Sequence, residues 1–310
     1  MQALTYILDY LIFPGFLFSS VVGLLTTWVD RKVSARVQYR VGPPWYQPFA
    51  DTAKLFGKEV VVPVNARSTG FLVMPVVGLA AATLASTIVW LVNLRPETSF
   101  VGDSIVTLYV MTIPALAVIL GASASANPLG ALGASREMKL LFAYELPLMI
   151  SVLTTVVKAG SFSFEKILMY QEYNGVMLGS VSGVIAFVVM IFCAQAKLGF
   201  LPFDIPEAET EIAGGTHIEY SGAPLAVIRL NTAIMYVVMP LFIITVLWGG
   251  VNFVGWRILT SVLKYVAIVV IMVLIKNTNP RVRIDHAVRF FWGPMFVLSA
   301  IAMILAVLGY

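Results

Sequence analysis

The chain has 310 residues, 59% of them hydrophobic and 12% charged, with 20 Lys and Arg against 16 Asp and Glu. A soluble domain carries about 25% charged residues, so the charge is too sparse to cover a water-facing surface, and soluble folds are excluded. The net charge of +4 points to basic loops at one membrane face rather than to nucleic acid.

Eight apolar stretches are long enough to span a bilayer: residues 7–29, 71–91, 104–124, 140–157, 176–196, 225–248, 258–275 and 290–308. Lipid cannot satisfy backbone polar groups and no strand-like alternation is present, so the expected fold is all-α and polytopic, with eight transmembrane helices. The opening stretch has neither a charged leader nor a small-residue cleavage site, and is expected to stay as a helix. Fifteen of the Lys and Arg residues fall in one alternate set of loops and four in the other, with Lys264 inside a span. The positive-inside rule then makes the loops at about 30–70, 125–139, 197–224 and 276–289 cytoplasmic and leaves both termini outside. Residues 1–310 read as a single membrane domain without an internal repeat.

A lone cysteine, Cys193, and two histidines, His217 and His286, in polar loops leave no set for a disulfide framework, a Cys-rich metal centre or an intramembrane haem. The chain is therefore expected to bind no cofactor or metal and to perform no redox catalysis of its own.

In the first loop, Pro48 suits a first helical turn. Phe49, Ala53, Phe56 and Val60 share one face, and Asp51, Lys54 and Lys58 lie on the other. This is an amphipathic surface helix, either a lipid-facing anchor or a wall for a partner or hydrophobic substrate.

The third loop, residues 199–222, holds Asp204, Glu207, Glu209, Glu211 and Glu219. Asp204, Pro206 and Glu207 have the spacing of a capping box, and Gly214-Gly215 would end the helix. On a helical wheel with Ile205 at zero, Glu209 falls at the edge of the apolar face and is expected to face the interior, where burial and like charges raise a carboxylate pKa. Such a cluster reads as a proton-transfer site or as a contact for a basic partner.

Inside the fourth span, Tyr144-Glu145-Leu146-Pro147 sets an acid beside a proline that frees the carbonyl of Ala143. An intramembrane acid is a functional candidate, with a structural pair to a nearby Lys or Arg as the competing reading. Lys264 either snorkels outward or belongs to an intramembrane ion path. Three function classes fit a polytopic protein of this kind: a coupling subunit, a secondary transporter, or a membrane enzyme using the acidic loop for metal. The absence of repeats weighs against the second. The scarcity of aspartate weighs against the third.

Several motifs then carry a resemblance in the same order along the chain. They are Arg40-Val41-Gly42-Pro43, Gln47-Pro48-Phe49-Ala50-Asp51 with Lys54-Leu55, Tyr144-Glu145-Leu146-Pro147, Pro202-Phe203-Asp204-Ile205-Pro206-Glu207-Ala208-Glu209 and Glu219-Tyr220-Ser221-Gly222. The chain resembles, nearly end to end, the family of subunit 1 of respiratory complex I. Gly133-Ala134-Ser135-Arg136-Glu137-Met138 and Gly42-Pro43-Pro44-Trp45 look more like the versions in energy-converting membrane-bound hydrogenases, formate hydrogenlyase and sulfane reductase. Asp30 stands where complex I proteins usually carry Glu before Arg-Lys.

The resemblance implies docking on iron–sulfur and catalytic subunits, with 4Fe-4S clusters and a nickel–iron centre belonging to those partners, and contact with antiporter-like membrane subunits. It implies a proton path through Glu145, Asp204, Glu207, Glu209, Glu211 and Glu219, with Tyr144 and Lys264 as further intramembrane groups. Arg31, Arg40, Asp51 and Arg136 would line the pocket and interface beneath the redox arm. A quinone chamber, as in complex I itself, is the alternative.

Overall fold

The computed structural model describes residues 2–253 and 255–310, and among them every regular element is helical. In these residues fourteen α-helices follow one another: α1 Gln2–Leu11, α2 Phe16–Val37, α3 Gln47–Phe56, α4 Ser68–Leu94, α5 Asp103–Val110, α6 Ile113–Ala124, α7 Pro128–Ala159, α8 Phe164–Asn174, α9 Val181–Lys197, α10 Glu209–Ile212, α11 Gly222–Leu247, α12 Arg257–Thr278, α13 Ile284–Phe290 and α14 Phe296–Val307. Seven stretches among the described residues are long and apolar enough to cross a membrane, and α9 is a shorter apolar helix. All eight expected spans are therefore helical.

Helix α11 runs through the middle of the bundle, packed by α2, α4, α9, α12 and the surface helix α3. From Ile234 to Leu247 every one of its side chains is buried. A helix that is apolar on all sides belongs inside a bundle. Its neighbours approach closely through small residues, as lipid-embedded packing requires. A Cβ on Gly23 of α2 would stand 2.5 Å from the carbonyl oxygen of Ala233. Ser19 and Ser86 share a 2.6 Å hydrogen bond between α2 and α4, and Thr26 and Tyr265 one of 2.7 Å between α2 and α12.

Several boundaries differ from those read in the sequence. Helix α2 runs on through Asp30-Arg31-Lys32 to Val37, so the first loop begins later than residue 30. Helix α7 begins at Pro128, where Asn127 caps it by accepting from the Leu129 backbone N–H at 2.8 Å. Most of the expected loop 125–139 is thus its first turns. The third span is interrupted at Met111-Thr112, between α5 and α6, just before Pro114. A π-helical turn, Phe291–Met295, joins α13 to α14 around Pro294.

Helix α3 lies where the surface helix was expected. Its inward face is Pro48, Thr52 and Leu55, with Phe49 partly buried against Leu24, Leu230 and Ala233. Ala53 and Phe56 of the predicted apolar stripe remain exposed, and Val60 lies beyond the helix end.

Candidate functional site

The loop between α9 and α11 is not the single capped helix that its spacing suggests. It is a 3-10 turn at Ile205–Glu207, the one-turn α10, and a second 3-10 turn at Gly215–His217. Phe203, Ile205, Ala208 and Ile212 point inward and plug the loop onto the bundle. Asp204 occupies the N-cap position without capping anything. Its carboxylate accepts from Arg281 through both oxygens, with Nε to Oδ1 at 2.7 Å and Nη2 bonded to Oδ2. This bidentate charge pair outcompetes a backbone cap, and the Asp204 hydrogen bond holds the Arg281 guanidinium above its ordinary pKa.

A second clamp comes from α7. Arg136 donates from Nη1 to Glu211 Oε2 at 2.7 Å and to the carbonyl of Ile205 at 3.4 Å. Beside it, a Cβ on Gly133 would meet the Thr216 backbone nitrogen at 2.7 Å and the Pro206 carbonyl oxygen at 3.0 Å. Glu219 accepts from Asn127 Nδ2 at 2.5 Å. Tyr220 stacks on Phe71 with centroids 4.2 Å apart, and burial raises its phenol pKa.

Between α2, α3, this loop and α11 lies an open cavity of about 500 Å³. Asp30, Arg31, Asp51, Glu207, Glu209, His217 and Arg229 supply its polar lining, and Leu24, Phe200, Ile228 and Tyr236 part of its apolar wall. Arg31 donates to Asp51 at 2.9 Å and Gln47 donates to it at 2.7 Å. The Arg31 hydrogen bond holds the Asp51 carboxyl below its ordinary pKa against a smaller opposing effect of burial. Lys276 donates to Asp30 at 2.8 Å. On the other side of Asp30 and Arg31, a basic cavity of about 610 Å³ is lined by Arg40, Lys276 and Arg281.

A much smaller cavity, about 60 Å³, adjoins the large one on the inner side of Glu207 and His217 and is lined by Glu137, Lys197, Pro206, Thr216 and Asn231 together with those two. Below it, Lys197 donates to Glu145 Oε2 at 3.2 Å and to Thr112 Oγ1 at 3.1 Å. Thr112 in turn bonds Glu145 Oε1 at 2.8 Å. The Lys197 side chain is 1% exposed and that of Glu145 18%. Lys197 also lies 5.3 Å from the ring centroid of the fully buried Tyr144.

The sequence-derived residues thus fall into separate groups. Arg31, Asp51, Glu207 and Glu209 share the large cavity. Glu209 is exposed rather than turned inward, because α10 starts only at Glu209 and the continuous helix behind the wheel argument does not form. Asp204, Glu211 and Glu219 are held by Arg281, Arg136 and Asn127. Arg40 belongs to the neighbouring basic cavity. Lys264 is held near the end of α11. It donates to the carbonyl of Trp248 at 2.7 Å and weakly to that of Gly250 at 3.5 Å, at the end of α11, where a cation suits the helix dipole.

Two residues escape the sequence reading. Lys197 counts there as a loop cation, yet it is buried and pairs with Glu145. Glu137 falls there in a loop. Its helical register with Leu141, Tyr144 and Leu148, all buried, is the signal that marks it as inward-facing. No group of three or more His, Cys, Asp or Glu able to hold a metal is found among the described residues.

Comparison with known proteins follows the same outline. A sequence model of the NADH dehydrogenase family matches residues 10–307. A subunit of the NADH-quinone oxidoreductase of Thermomicrobium roseum is 32% identical over 324 aligned positions, covering 94% of this chain and 93% of that protein. A solved chain from the membrane-bound sulfane sulfur reductase, an archaeal respiratory membrane complex, superimposes with a TM-score of 0.87 at 27% identity, covering 97% of this chain and 99% of the other.

Proposed function

The chain belongs to the NADH dehydrogenase family as a membrane subunit of the complex I type, and from that premise we propose that it seats a redox arm and couples its turnover to proton movement. The arm is taken to be of the sulfane reductase or membrane-bound hydrogenase type, carrying its own iron–sulfur clusters, with antiporter-like subunits alongside in the membrane. The proposed path enters at the large cavity, by Glu207 and Glu209, and continues through Glu137 to the Glu145–Lys197 pair.

One observation carries this reading. The two cavities share Glu207 and His217, and the inner one also touches Glu137 and Lys197, which is bonded to Glu145. Carboxylates are thus set in sequence from an open cavity toward the interior, and ionisable groups at membrane depth mark ion pathways. Asp204, Glu211 and Glu219 are in this reading the struts of the loop rather than stations on the path. On the open side, Arg31 and Asp51 line the cavity beneath the docking site, Arg40 extends it, and Arg136 holds the loop.

The test is ion movement by the assembled complex in inverted membrane vesicles, normalised to its redox turnover. Glu145→Gln and Glu209→Gln are expected to assemble and to lose coupled transport. Normal pumping by both variants would sink the path.

A second reading has its own support. The cavity volume falls in the range of small-molecule sites, about 300–1,000 Å³, and one wall is apolar. That suits a quinone head, the acceptor in the name of the Thermomicrobium relative. A photoactivatable quinone analogue separates the readings: labelling of Phe200, Ile228 or Tyr236 favours a quinone chamber, and its absence favours an arm that reduces its substrate outside the membrane.

A further inference from the structure

Three polar atoms in the wall of the inner cavity lack any partner: Thr216 Oγ1, His217 Nε2 and Asn231 Oδ1. All three residues line the same 60 Å³ space. Thr216 is 2% exposed and Asn231 6%. Buried polar groups are paired in folded proteins, and each unpaired one requires an explanation. Three on residues that line one small space have a common one, since the space has room for water and offers it several polar partners.

His217 has a further property. Its Nδ1 stands 3.4 Å from Glu207 Oε1, while its Nε2 is sealed from solvent on the other side of the ring. The imidazole lines both cavities, with Nδ1 beside Glu207 and Nε2 buried and unpaired.

We infer that His217 relays protons between Glu207 and water held by Thr216 and Asn231, which delivers them to Glu137 and the Lys197–Glu145 pair. This rests on the coupling role proposed above and assigns that path its gate. The step balances in protons. Protonated Glu207 gives its proton to Nδ1 of a ring carrying hydrogen on Nε2, and the imidazolium releases the Nε2 proton to water. Glu207 is left as a carboxylate, the ring as the Nδ1–H tautomer, and one proton has crossed. Reorientation of the ring, which turns Nδ1–H toward the water and the bare Nε2 toward Glu207, readies it to take the next proton at Nε2 and release one from Nδ1. Imidazole suits this task because both nitrogens exchange protons near neutral pH. The charged neighbours that set its balance are Glu207 on one side and Glu137 and Lys197 on the other, with Arg229 and Glu209 further out in the open cavity.

The experiment uses the assembled complex in inverted vesicles, reading proton uptake per redox turnover. Gln keeps a polar side chain of similar size at position 217 without carrying a proton. His217→Gln is expected to lower the protons moved per turnover on the order of a hundredfold, the size of a lost positioned proton carrier. His217→Ala should lose as much and recover in part when imidazole is added, a response that a merely structural histidine does not give. Asn231→Leu, on another element, fills the water space with His217 intact and should match His217→Gln. Should the His217→Ala complex fail to assemble, Asn231→Leu and His217→Gln still decide the question. Wild-type uptake in both overturns the relay. If Glu145→Gln blocks uptake in the same vesicles while those two do not, the relay alone falls. If Glu145→Gln also pumps normally, the coupling role falls with it.

Discussion

The Glu145–Lys197 pair offers a prediction that separates stability from coupling. Lys197 has a side chain 1% exposed, with Glu145 at 3.2 Å as its counter-charge and Thr112 as its other acceptor. Taking two charges out of water costs several kcal/mol per ion, and a buried pair roughly offsets that cost only while both partners remain. Removing one partner of such a pair typically costs about 3–5 kcal/mol. In Glu145→Gln, the amide oxygen and Thr112 still accept from Lys197, so the loss should lie at the low end, about 3 kcal/mol. Lys197→Met should cost less, because the stranded Glu145 carboxylate, at 18% exposed, is less deeply buried than the Lys197 ammonium. The double variant Glu145→Gln/Lys197→Met leaves no buried charge unpaired. It should recover most of the stability and fall within about 1.5 kcal/mol of the parent, as size-conserving replacements of buried pairs do.

The assay is a double-mutant cycle on the purified complex, following loss of its α-helical signal with heat or denaturant. Coupling in the cycle above about 1.5 kcal/mol is expected for residues in direct contact. The same double variant should move no protons. Additive effects, with coupling under about 0.5 kcal/mol, would refute the claim that the two charges depend on each other. A double variant that pumps would refute their place on the path.

Two further outcomes are expected. Asp51 is held below the usual carboxylate range by Arg31, so its contribution is fully present above its unfolded pKa of about 3.9 and is lost as pH falls through the lower folded value. Protection of α3 amides from hydrogen exchange should then be flat from pH 8 to about 5 and weaken only below about 4, by no more than about 1 kcal/mol for so exposed a pair. Asp51→Asn should remove that acid limb, and an α3 that loosens between pH 6 and 7 would contradict the assignment. Gly133→Ala should push the acidic loop off α7, since the new methyl meets backbone of Thr216 and Pro206. A cost of about 1–3 kcal/mol and faster exchange across residues 205–217 are expected, and an unchanged melting temperature would contradict the close approach.

The membrane-spanning part of this architecture was legible because it rests on one strong signal, runs of apolar residues long enough to cross lipid. The helix ends were less so. The Asn127-Pro128 start of α7 is a recognisable N-cap with a first-turn proline, yet the polar composition of residues 135–139 masks it. That error hid Glu137. The acidic loop failed for a different reason. Capping boxes are local, and Asp204 found a stronger partner 77 residues away in Arg281. Lys197 likewise follows an apolar helix as a flanking cation should, and its partner Glu145 is 52 residues distant. Local patterns cannot register bonds between elements that only the packed bundle brings together.

Those long-range bonds explain what the stretch from Gly133 to Met138 does. In the sequence it serves only to set the chain apart from complex I proteins. In the fold, three of its residues act on the acidic loop from one turn of α7. Gly133 lets the loop backbone lie against the helix, Arg136 ties down Glu211 and the Ile205 carbonyl, and Glu137 reaches the inner cavity. Arg281 grips the same part of the loop through Asp204 and Thr210. The loop that carries Glu207 and His217 is therefore held by two arginines, each bonded to one of its carboxylates. A redox arm that drew either carboxylate away would loosen the stretch between Asp204 and Glu211, on which Glu207 sits. In the coupling role proposed above, proton entry would then need no large movement of the spans, because the loop that lines both cavities is itself tied by charge pairs, alongside its buried apolar plug and the Glu219–Asn127 bond.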